Sequence, residues 1–513
     1  MISEMLAAGA VLLATPQVIG LTVLGVALGL LIGALPGLGP LMGVVLLLPV
    51  ALYVEPLAGI GLLTAVFVGG SCGGAISAIL LRIPGTPIAA ATLFDGYPMA
   101  QKGRAADALG IAVTASAIGG LFGGMLLIGF APLLAAFATR FAPPELTMLG
   151  VLGLLSIAVV SKEDTLKGLL AGALGMLIAT IGTDQLSTGY RFTFDSYALL
   201  NGFHIVSIVV GLFAVSEMVF QVAGSRLTEP ARPEATRAGF GAVPLVMRHR
   251  FNLLRSATIG TFFGALPGAG GDVSAFTSYA VAKAAARPEE GFGEGAEGGI
   301  VATEAANNAT CGGALIPTLA LGIPGDATTA VLMGALLILG LFPGPALFEN
   351  QPEIVGGIFL VYVLANVVLL VIGILLVPLF VHLLRIPKAS LVPTILILCA
   401  VGTFALQSSV FDLWVMFGFG LLGVLLRCAD YPLAPVVIGT ILGPIVENNL
   451  RRSLLISRDG YWIFLDRPIA AVLVGLSALV IGAAVFGWVR SLRRRGGMAV
   501  TDPGTDDKVD HQR

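Results

Sequence analysis

The amino-acid sequence predicts an all-α polytopic membrane protein, built from two inverted repeats with discontinuous helices or re-entrant hairpins. Of its 513 residues, 57% are hydrophobic and 11% are charged, whereas a soluble chain averages about 25% charged residues. Apolar runs of bilayer length recur along the chain, and we count roughly 10–12 membrane-crossing or re-entrant segments. These runs are too long and too continuous for the alternating strands of a barrel. Two helix-breaking phrases also occur twice, and each lies in an apolar run.

The first repeated phrase is Gly-Ala-Leu-Pro-Gly, at residues 33–37 and again at 264–268. The second consists of Cys-Gly-Gly-Ala, at 72–75 and 311–314, followed in each copy by Ile-Pro-Gly, at 83–85 and 323–325. The two phrases therefore recur in the same order and at nearly the same offset. Interrupted apolar segments at corresponding positions of two halves indicate the binding site of a secondary transporter.

The polar stretch 224–250 divides the chain into halves of similar length. We predict a first repeat at 1–223, a cytoplasmic linker at 224–250, a second repeat at 251–490 and a disordered cytoplasmic tail at 491–513. Arginines concentrate in the linker and after the last apolar run, and Lys/Arg excess is typical of cytoplasmic segments. The sequence contains no Lys or Arg before Arg82, which favours an outward start. The two halves would then enter the membrane from opposite faces, as inverted repeats do.

Proline and glycine at the repeated phrases should stop a helix inside the membrane. The freed backbone groups cannot face lipid and must line a cavity or find partners. A helix that restarts there points its positive N-terminus at the cavity, where anions bind. We therefore predict that the two breaks bind substrate through Pro36, Gly37, Leu38, Gly39, Pro267, Gly268, Ala269 and Gly270. The alternative is a proline kink or a packing seam of small residues.

Polar side chains near the breaks complete the predicted site, because polar groups inside a membrane are functional candidates. The predicted substrate-binding side chains are Ser71, Thr86, Asn307, Asn308, Thr328 and Thr329. A coupling cation is predicted at Asp272, Ser274, Thr310 and Asp326. The alternative for the hydroxyls is a bond back to their own helix. No metal is expected beyond a transported sodium ion.

Several classes of protein find no support in the sequence. No lysine follows a glycine, so a phosphate-binding P-loop is absent, and the four histidines form no His-Glu-x-x-His motif. We therefore predict no enzyme activity, no cofactor other than a coupling sodium ion or proton, and no nucleic-acid partner. The four cysteines show no metal-type spacing and are expected to be small buried hydrophobes.

The repeated phrases resemble the large membrane subunit of tripartite tricarboxylate transporters, the TctA family. The resemblance extends from about residue 10 to 490 and rests on residues 33–40, 83–87, 95–105, 267–270, 304–309, 312–317 and 321–325. It implies a permease of the bacterial inner membrane that works with a small four-span membrane subunit and a periplasmic solute-binding protein. It also implies import of carboxylates such as citrate, driven by a sodium or proton gradient. Likeness to the wider ion-transporter superfamily suggests, by analogy, an elevator movement.

Three positions depart from the family pattern, and two other functions remain alternatives. Arg82 and Asp326 stand where neutral polar residues are usual, and Thr303 stands where proline is common. The two charged departures question a standard citrate specificity. A membrane enzyme acting on a hydrophobic or lipid-linked substrate would need a catalytic dyad, and none is convincing. A scaffold subunit would place the duplicated breaks in packing seams.

Overall fold

A computed structural model describes residues 2–35, 38–160, 165–184, 186–187, 189–223, 241–267, 270–376, 388–457 and 460–497. Helices dominate these residues. In the first half they are α1 Ile2–Leu13, α2 Pro16–Ala34, α3 Gly39–Ala51, α4 Pro56–Leu81, α5 Leu93–Met99, α6 Ala105–Ala138, α7 Pro143–Val160, α8 Thr165–Ala179, α9 Ile205–Val209 and α10 Ser216–Ala223. A π-helical turn, Val210–Val215, joins α9 to α10, and another, Ala100–Arg104, precedes α6.

The second half is also helical. Its helices are α11 Ala242–Arg248, α12 Arg250–Ala265, α13 Gly270–Ala285, α14 Glu297–Leu321, α15 Ala327–Ile338, α16 Pro345–Asn350, α17 Pro352–Leu375, α18 Lys388–Gln407, α19 Val410–Cys428, α20 Ala434–Ile456, α21 Ile463–Asp466 and α22 Pro468–Gly497. Short 3-10 turns lie at Ile88–Ala90, Tyr197–Leu199, Pro288–Glu290 and Gly460–Trp462.

One exception to the all-α prediction is a small antiparallel hairpin. Strand β1, Gly182–Thr183, pairs with β2, Tyr190–Arg191, in the register Gly182↔Arg191 and Thr183↔Tyr190. The hairpin lies between α8 and α9.

Six helices of the described residues are long and apolar enough to cross a membrane, and a bent pair near the C-terminus would make a seventh. Six further apolar helices are 10–17 residues long. The chain is therefore a polytopic helical membrane protein. The predicted number of membrane segments, roughly 10–12, is larger than this count of six or seven long helices. The difference depends on whether the short apolar helices also enter the membrane.

Helices occupy part of the predicted linker and of the predicted tail. The predicted linker 224–250 contains α11, which packs against α6 and α14 because its apolar residues Ala242 and Val246 are buried. Residues 224–240 lie outside the described part of the chain. The last helix extends to Gly497, so residues 491–497 are helical, whereas they were predicted as part of a disordered tail. The rest of the predicted tail, 498–513, also lies outside the description.

Helices α4 and α14 form the centre of the molecule. The most apolar stretch of α4 is entirely buried, although it is long enough to span a bilayer. Helix α2 packs on α4, and α12 packs on α14. Helices α6 and α17 flank this central pair, since α6 packs on α14 and α17 packs on α4, α2 and α6. Both copies of Cys-Gly-Gly-Ala are therefore buried in the protein interior.

Glycines allow α2 and α4 to approach each other closely. A Cβ atom on Gly33 would lie 2.2 Å from the carbonyl oxygen of Gly70, and one on Gly29 would lie 2.6 Å from that of Val66. Both distances are below any real contact, so only glycine fits. Small residues at such crossings are typical of membrane helix pairs.

The α12–α14 pair repeats this contact pattern. A Cβ atom on Gly264 would lie 2.3 Å from the carbonyl oxygen of Thr310, and one on Gly260 would lie 2.2 Å from that of Ala306. Gly260 and Gly264 follow Gly29 and Gly33 by the same offset that separates the two copies of Gly-Ala-Leu-Pro-Gly. The contacted carbonyls on α14 follow those on α4 by the offset that separates the two copies of Ile-Pro-Gly.

Candidate functional site

The first break separates α2 from α3. Helix α2 ends at Ala34 and α3 begins at Gly39, whose φ of +61° lies in the left-handed region that favours glycine. Leu38 is buried, and Pro36 and Gly37 lie outside the described residues. A Cβ atom on Gly39 would lie 3.3 Å from the Thr86 methyl group. The first break therefore lies next to the segment that follows the first Ile-Pro-Gly.

Thr86 caps the turn that follows this Ile-Pro-Gly. Its Oγ1 accepts a hydrogen bond from the backbone N–H of Ala89 at 3.2 Å, and the side chain is buried. The N–H of Gly85 donates to the carbonyl of Gly74 at 3.2 Å, which ties the segment back to α4. The Thr86 hydroxyl is thus engaged by backbone, and its predicted contact with substrate stays a prediction.

The second break separates α12 from α13. Pro267 is half-buried, Gly270 begins α13, and Gly268 and Ala269 lie outside the described residues, as does the side chain of Asp272. Ser274 Oγ lies 2.8 Å from Thr310 Oγ1, and Thr310 also donates to the carbonyl of Ala306 at 2.7 Å. The structure therefore brings together Ser274 and Thr310, two of the predicted cation ligands, on facing helices.

Asp326 and Thr329 form the N-terminal cap of α15. Asp326 Oδ1 accepts from the backbone N–H of Thr329 at 2.7 Å, and Thr329 Oγ1 accepts from the N–H of Asp326 at 2.9 Å. This reciprocal arrangement is a capping box. Asp326 occupies the position that corresponds to Thr86. Each of the two side chains accepts a hydrogen bond from the backbone N–H of the residue three positions later. Thr328 is buried in the same first turn. The roles predicted for these residues in cation and substrate binding stay predictions.

The helices before the two Ile-Pro-Gly phrases end in the same conformation. Arg82, the residue that follows α4, has a φ of 58°, and Gly322, the residue that follows α14, has a φ of 68°. A left-handed residue at this place is a usual helix ending, and glycine adopts it without steric cost. Arg82 is exposed, and its guanidinium lies 5.5 Å from the centre of the Tyr97 ring. Its position fits an anchor at the protein surface better than a contact with buried substrate.

Side chains of α14 form hydrogen bonds to α4 where these two helices of the opposite halves cross. Asn307 Nδ2 donates to the backbone carbonyl of Ser71 at 2.9 Å, and Asn308 Nδ2 donates to that of Val68 at 3.4 Å. Cys311 Sγ donates to Ser71 Oγ at 3.2 Å. All these side chains are buried. The structure thus places three predicted site residues, Ser71, Asn307 and Asn308, at one crossing between the repeated segments.

The helix after the break in each half packs against the segment that follows Ile-Pro-Gly in the other half. Ala275 of α13 forms a small buried cluster with Ile88 and Ala91, which follow the first Ile-Pro-Gly. In turn α15, which follows the second Ile-Pro-Gly, packs on α3. Each break of one half is therefore adjacent to the Ile-Pro-Gly segment of the other.

Glu304 is a buried carboxyl group beside this crossing. Its side chain is 0% exposed. Thr92 Oγ1 donates to one carboxylate oxygen, while Ser116 Oγ at 2.9 Å and Asn307 Nδ2 at 3.4 Å donate to the other. We predicted no role for Thr92 or Ser116, because both are isolated hydroxyls in apolar surroundings. An acidic residue within an apolar helix was the available signal.

Asp95 joins the first half to the start of α14. Its Oδ1 accepts hydrogen bonds from the backbone N–H groups of Gly293 at 2.8 Å, Gly295 at 2.9 Å and Ala296 at 2.8 Å. The carboxylate thus lies at the positive end of α14, where negative charge is favourable. Asp95 belongs to a short helix and is 1% exposed.

A cavity of about 730 Å³ lies elsewhere, between the hairpin, α8, α15 and α20. None of the predicted site residues lines it. Its polar wall includes Asp184, Arg191 and Glu447. Arg191 pairs with Asp184 at 2.7 Å and with Glu447 at 2.7 Å, and Arg451 pairs with Asp184 at 2.9 Å.

Hydrogen bonds hold the pKa of the Asp184 carboxyl well below its usual range, first from the Ser187 hydroxyl and then from the backbone N–H of Leu186. Arg451 and Arg191 act in the same direction. We did not predict this charged cluster. The i, i+4 pair Glu447 and Arg451, in an otherwise apolar chain, was the available signal.

Within the part of the chain that the structure describes, no group of three or more His, Cys, Asp or Glu side chains could hold a metal ion. The arrangement is a pair of interrupted helices around a buried polar crossing, in a chain with several membrane-spanning helices. These features define a polytopic membrane protein of the transporter class.

The comparisons with known proteins agree with this class. The chain belongs to the tripartite tricarboxylate transporter TctA family, whose model matches residues 19–438. A relative from Agrobacterium vitis, described as an uncharacterized 52.8 kDa protein in the TAR-I ttuC' 3'region, is 36% identical over 481 residues, or 93% of this chain and 95% of the relative.

A second relative from Agrobacterium vitis is described as an uncharacterized protein in the TAR-II ttuC' 3'region. It is 37% identical over 235 residues, or 46% of this chain and 97% of the relative. No solved structure matches the chain. The resemblance to the TctA family that the sequence motifs suggest is therefore confirmed.

Proposed function

We propose that this protein is the large permease subunit of a secondary transporter that imports di- or tricarboxylates and depends on a binding protein. A sodium or proton gradient drives the import. The partners are a small four-span membrane subunit and a periplasmic solute-binding protein. The protein lies in the bacterial inner membrane with its C-terminus in the cytoplasm. Membership of a tripartite transporter family supports these assignments.

The observation that carries the proposal is the crosswise packing of the two interrupted segments. The glycine contacts of α2 with α4 recur between α12 and α14 at the offsets of the repeated phrases. We infer two inverted repeats, with the short apolar helices α3 and α15 forming re-entrant segments at their interface. Interrupted helices at a repeat interface supply backbone N–H groups to an anionic substrate.

In this proposal a carboxylate lies between the two breaks, near the crossing of α4 and α14. Backbone N–H groups at the starts of α3 and α13 would bind its oxygens, because helix N-termini carry unpaired donors and a positive dipole end. By analogy with other transporters of interrupted-helix design, one part of the protein would move as an elevator against a scaffold.

Uptake of labelled carboxylates into proteoliposomes tests the proposal. The vesicles contain this protein with its small subunit, and the solute-binding protein is added outside. We expect uptake of citrate or a related carboxylate that requires the binding protein and stops when ionophores collapse the ion gradients. Uptake that continues without any gradient would contradict secondary transport, and no uptake across a carboxylate panel would contradict the substrate class.

Two buried asparagines provide a matched pair of variants. Asn307→Ala removes the bond between α14 and α4 at the crossing, and we expect it to abolish uptake while the protein stays monodisperse. Asn366→Ala removes a buried asparagine on α17 that donates to the carbonyl of Tyr362 in its own helix, and it should retain uptake. Equal uptake by both variants would show that the crossing is a packing seam.

A further inference from the structure

Glu304 is a buried acid whose described neighbours include no cation. Among the described residues, no ion pair includes Glu304, and its hydrogen-bond partners are Thr92, Ser116 and Asn307, all uncharged. Two other buried carboxylates have compensation: Glu145 pairs with Arg467, and Asp95 accepts three backbone N–H groups at a helix N-terminus. An ionised carboxylate out of water is costly unless it is paired or neutralised.

The charged and titratable groups on the surrounding helices do not supply this compensation. From α4 the facing titratable group is the thiol of Cys72, which cannot carry positive charge. Three cations on or before α6 and α12 have other partners: Arg104 pairs with Asp107 and Glu297, His249 lies 3.8 Å from Glu297, and Arg255 donates to Asn252. The remaining groups, Asp95 on α5, Asp107 on α6, Tyr279 on α13 and Tyr362 on α17, cannot carry positive charge.

The bonds around Glu304 suit two protonation states. Thr92 Oγ1 has two acceptors for one hydrogen, Glu304 Oε1 and Thr303 Oγ1, the second at 3.0 Å. When the carboxyl is ionised, Thr92 donates to it. When Oε1 carries a proton, the carboxyl O–H donates to Thr92 Oγ1, and Thr92 turns its own hydrogen to Thr303. One proton is added, one hydroxyl rotates, and every polar group keeps a partner.

The same bonds favour a proton over a metal ion. Three donors already occupy the two carboxylate oxygens, which offer about four lone-pair sites in total. The remaining capacity suffices for one proton, whereas a hard cation takes six or so oxygen ligands. Asn307 presents its amide N–H₂ group, a donor, to Glu304, and this group repels a cation.

Asn307 connects Glu304 to the helix crossing. Its Nδ2 donates both to Glu304 Oε2 at 3.4 Å and to the carbonyl of Ser71 at 2.9 Å. Protonation removes the charge that strengthens the first bond, and charge-assisted hydrogen bonds are roughly twice as strong as neutral ones. The balance between the two bonds therefore changes with the charge of Glu304. We propose that Glu304 binds the coupling proton of the transport cycle and passes its charge state to the α4–α14 crossing through Asn307.

This inference rests on the proposed function, and its test separates the two. In proteoliposomes with all three components, a pH gradient of two units limits one-proton symport to about 100-fold accumulation. We expect the wild-type protein to accumulate carboxylate under this gradient without sodium. We expect Glu304→Gln to give an accumulation ratio near one and yet to retain exchange of labelled for unlabelled substrate.

The matched control is Glu145→Gln, which changes a buried acid that has a cationic partner. It should accumulate substrate as the wild type does. Proton-driven accumulation by Glu304→Gln would overturn the inference, as would wild-type accumulation driven by sodium alone. Absence of any wild-type uptake would instead refute the proposed function.

A second variant covers the case in which Glu304→Gln also lacks exchange. Ser116→Ala removes one donor from the carboxylate and leaves the charge in place. Because it weakens the ionised form, it should move the pH of half-maximal uptake upward. An unchanged pH profile would overturn the inference.

Discussion

Replacement of Asp95 should open the start of α14. Its Oδ1 accepts three backbone N–H groups, one fully buried and two partly buried. Asp95→Ala leaves these three donors without a partner, and each buried unsatisfied donor costs about 1–3 kcal/mol. Because two of them reach some water, we take the lower end and expect about 3 kcal/mol of local destabilisation.

Hydrogen exchange of the segment 291–297, followed by mass spectrometry, measures this effect directly. A loss of about 3 kcal/mol corresponds to roughly 100-fold faster exchange of the three amides. Asp95→Asn keeps an acceptor oxygen but loses the charge, so it should lose about half of the stabilisation.

The control is Asp107→Ala. Asp107 pairs with Arg104 at 2.9 Å, but the side chains of Arg104 and Asp107 are 44% and 45% exposed. Exposed pairs contribute about 0–1 kcal/mol, so exchange in the same segment should barely change. Unchanged exchange in Asp95→Ala would refute the claim that this carboxylate holds the start of α14.

Three further predictions concern packing and charge. Gly33→Ala puts a Cβ atom 2.2 Å from a carbonyl oxygen of α4 and should lower the melting temperature of the purified protein by several degrees. Gly20→Ala, whose new Cβ atom has nothing within 4 Å, should leave the melting temperature unchanged. Equal melting temperatures of the two variants would contradict the close approach of α2 and α4. Arg467→Met leaves Glu145 buried without its ion-pair partner and should lower the free energy of chemical unfolding by about 1–3 kcal/mol. The loss is smaller than for a fully buried pair because the arginine is partly exposed. Glu145→Gln in the same chain should restore part of this loss. The lowered pKa of Asp184 stabilises the hairpin at every pH above about 3.9, the pKa of an aspartate in the unfolded chain. Protection of the hairpin amides from hydrogen exchange, corrected for intrinsic exchange, should therefore stay constant from neutral pH down to that value and fall only below it. A steady fall between neutral pH and pH 5 or so would count against the hydrogen bonds to this carboxylate.

Much of the fold could be predicted from the sequence because bilayer-length apolar runs permit few structures. The long spans α2, α4, α6 and α17 follow from hydropathy, and the end of α2 before Gly39 follows from proline and glycine. The hairpin at 182–191 and helix α11 were missed, because their segments are polar or short and form through contacts with distant residues.

The structure brings some of the predicted site residues together, and their roles stay predictions. Asn307, Asn308 and Ser71 do meet, because the repeated phrases lie on helices that cross. Asp326 and Thr86 were singled out as ligands, yet each caps a turn, a role decided by which backbone N–H groups lie within reach. The sequence pattern alone cannot distinguish a capping side chain from one that faces a substrate.

The sequence by itself determined that this protein is a polytopic membrane protein, that it carries two matched sets of helix-breaking phrases, and that it resembles the TctA family, to which it belongs. These properties depend on composition and local backbone chemistry, which act over a few residues. Only the tertiary structure decided that Glu304 lies among Thr92, Ser116 and Asn307, and that Asp95 holds the start of α14. In both cases the carboxylate has partners from the opposite half of the chain, far away in sequence. Such contacts form only when the helices pack. Packing brings together polar groups that are distant in sequence and excludes water from them, and hydrogen bonds are stronger in this low-dielectric environment.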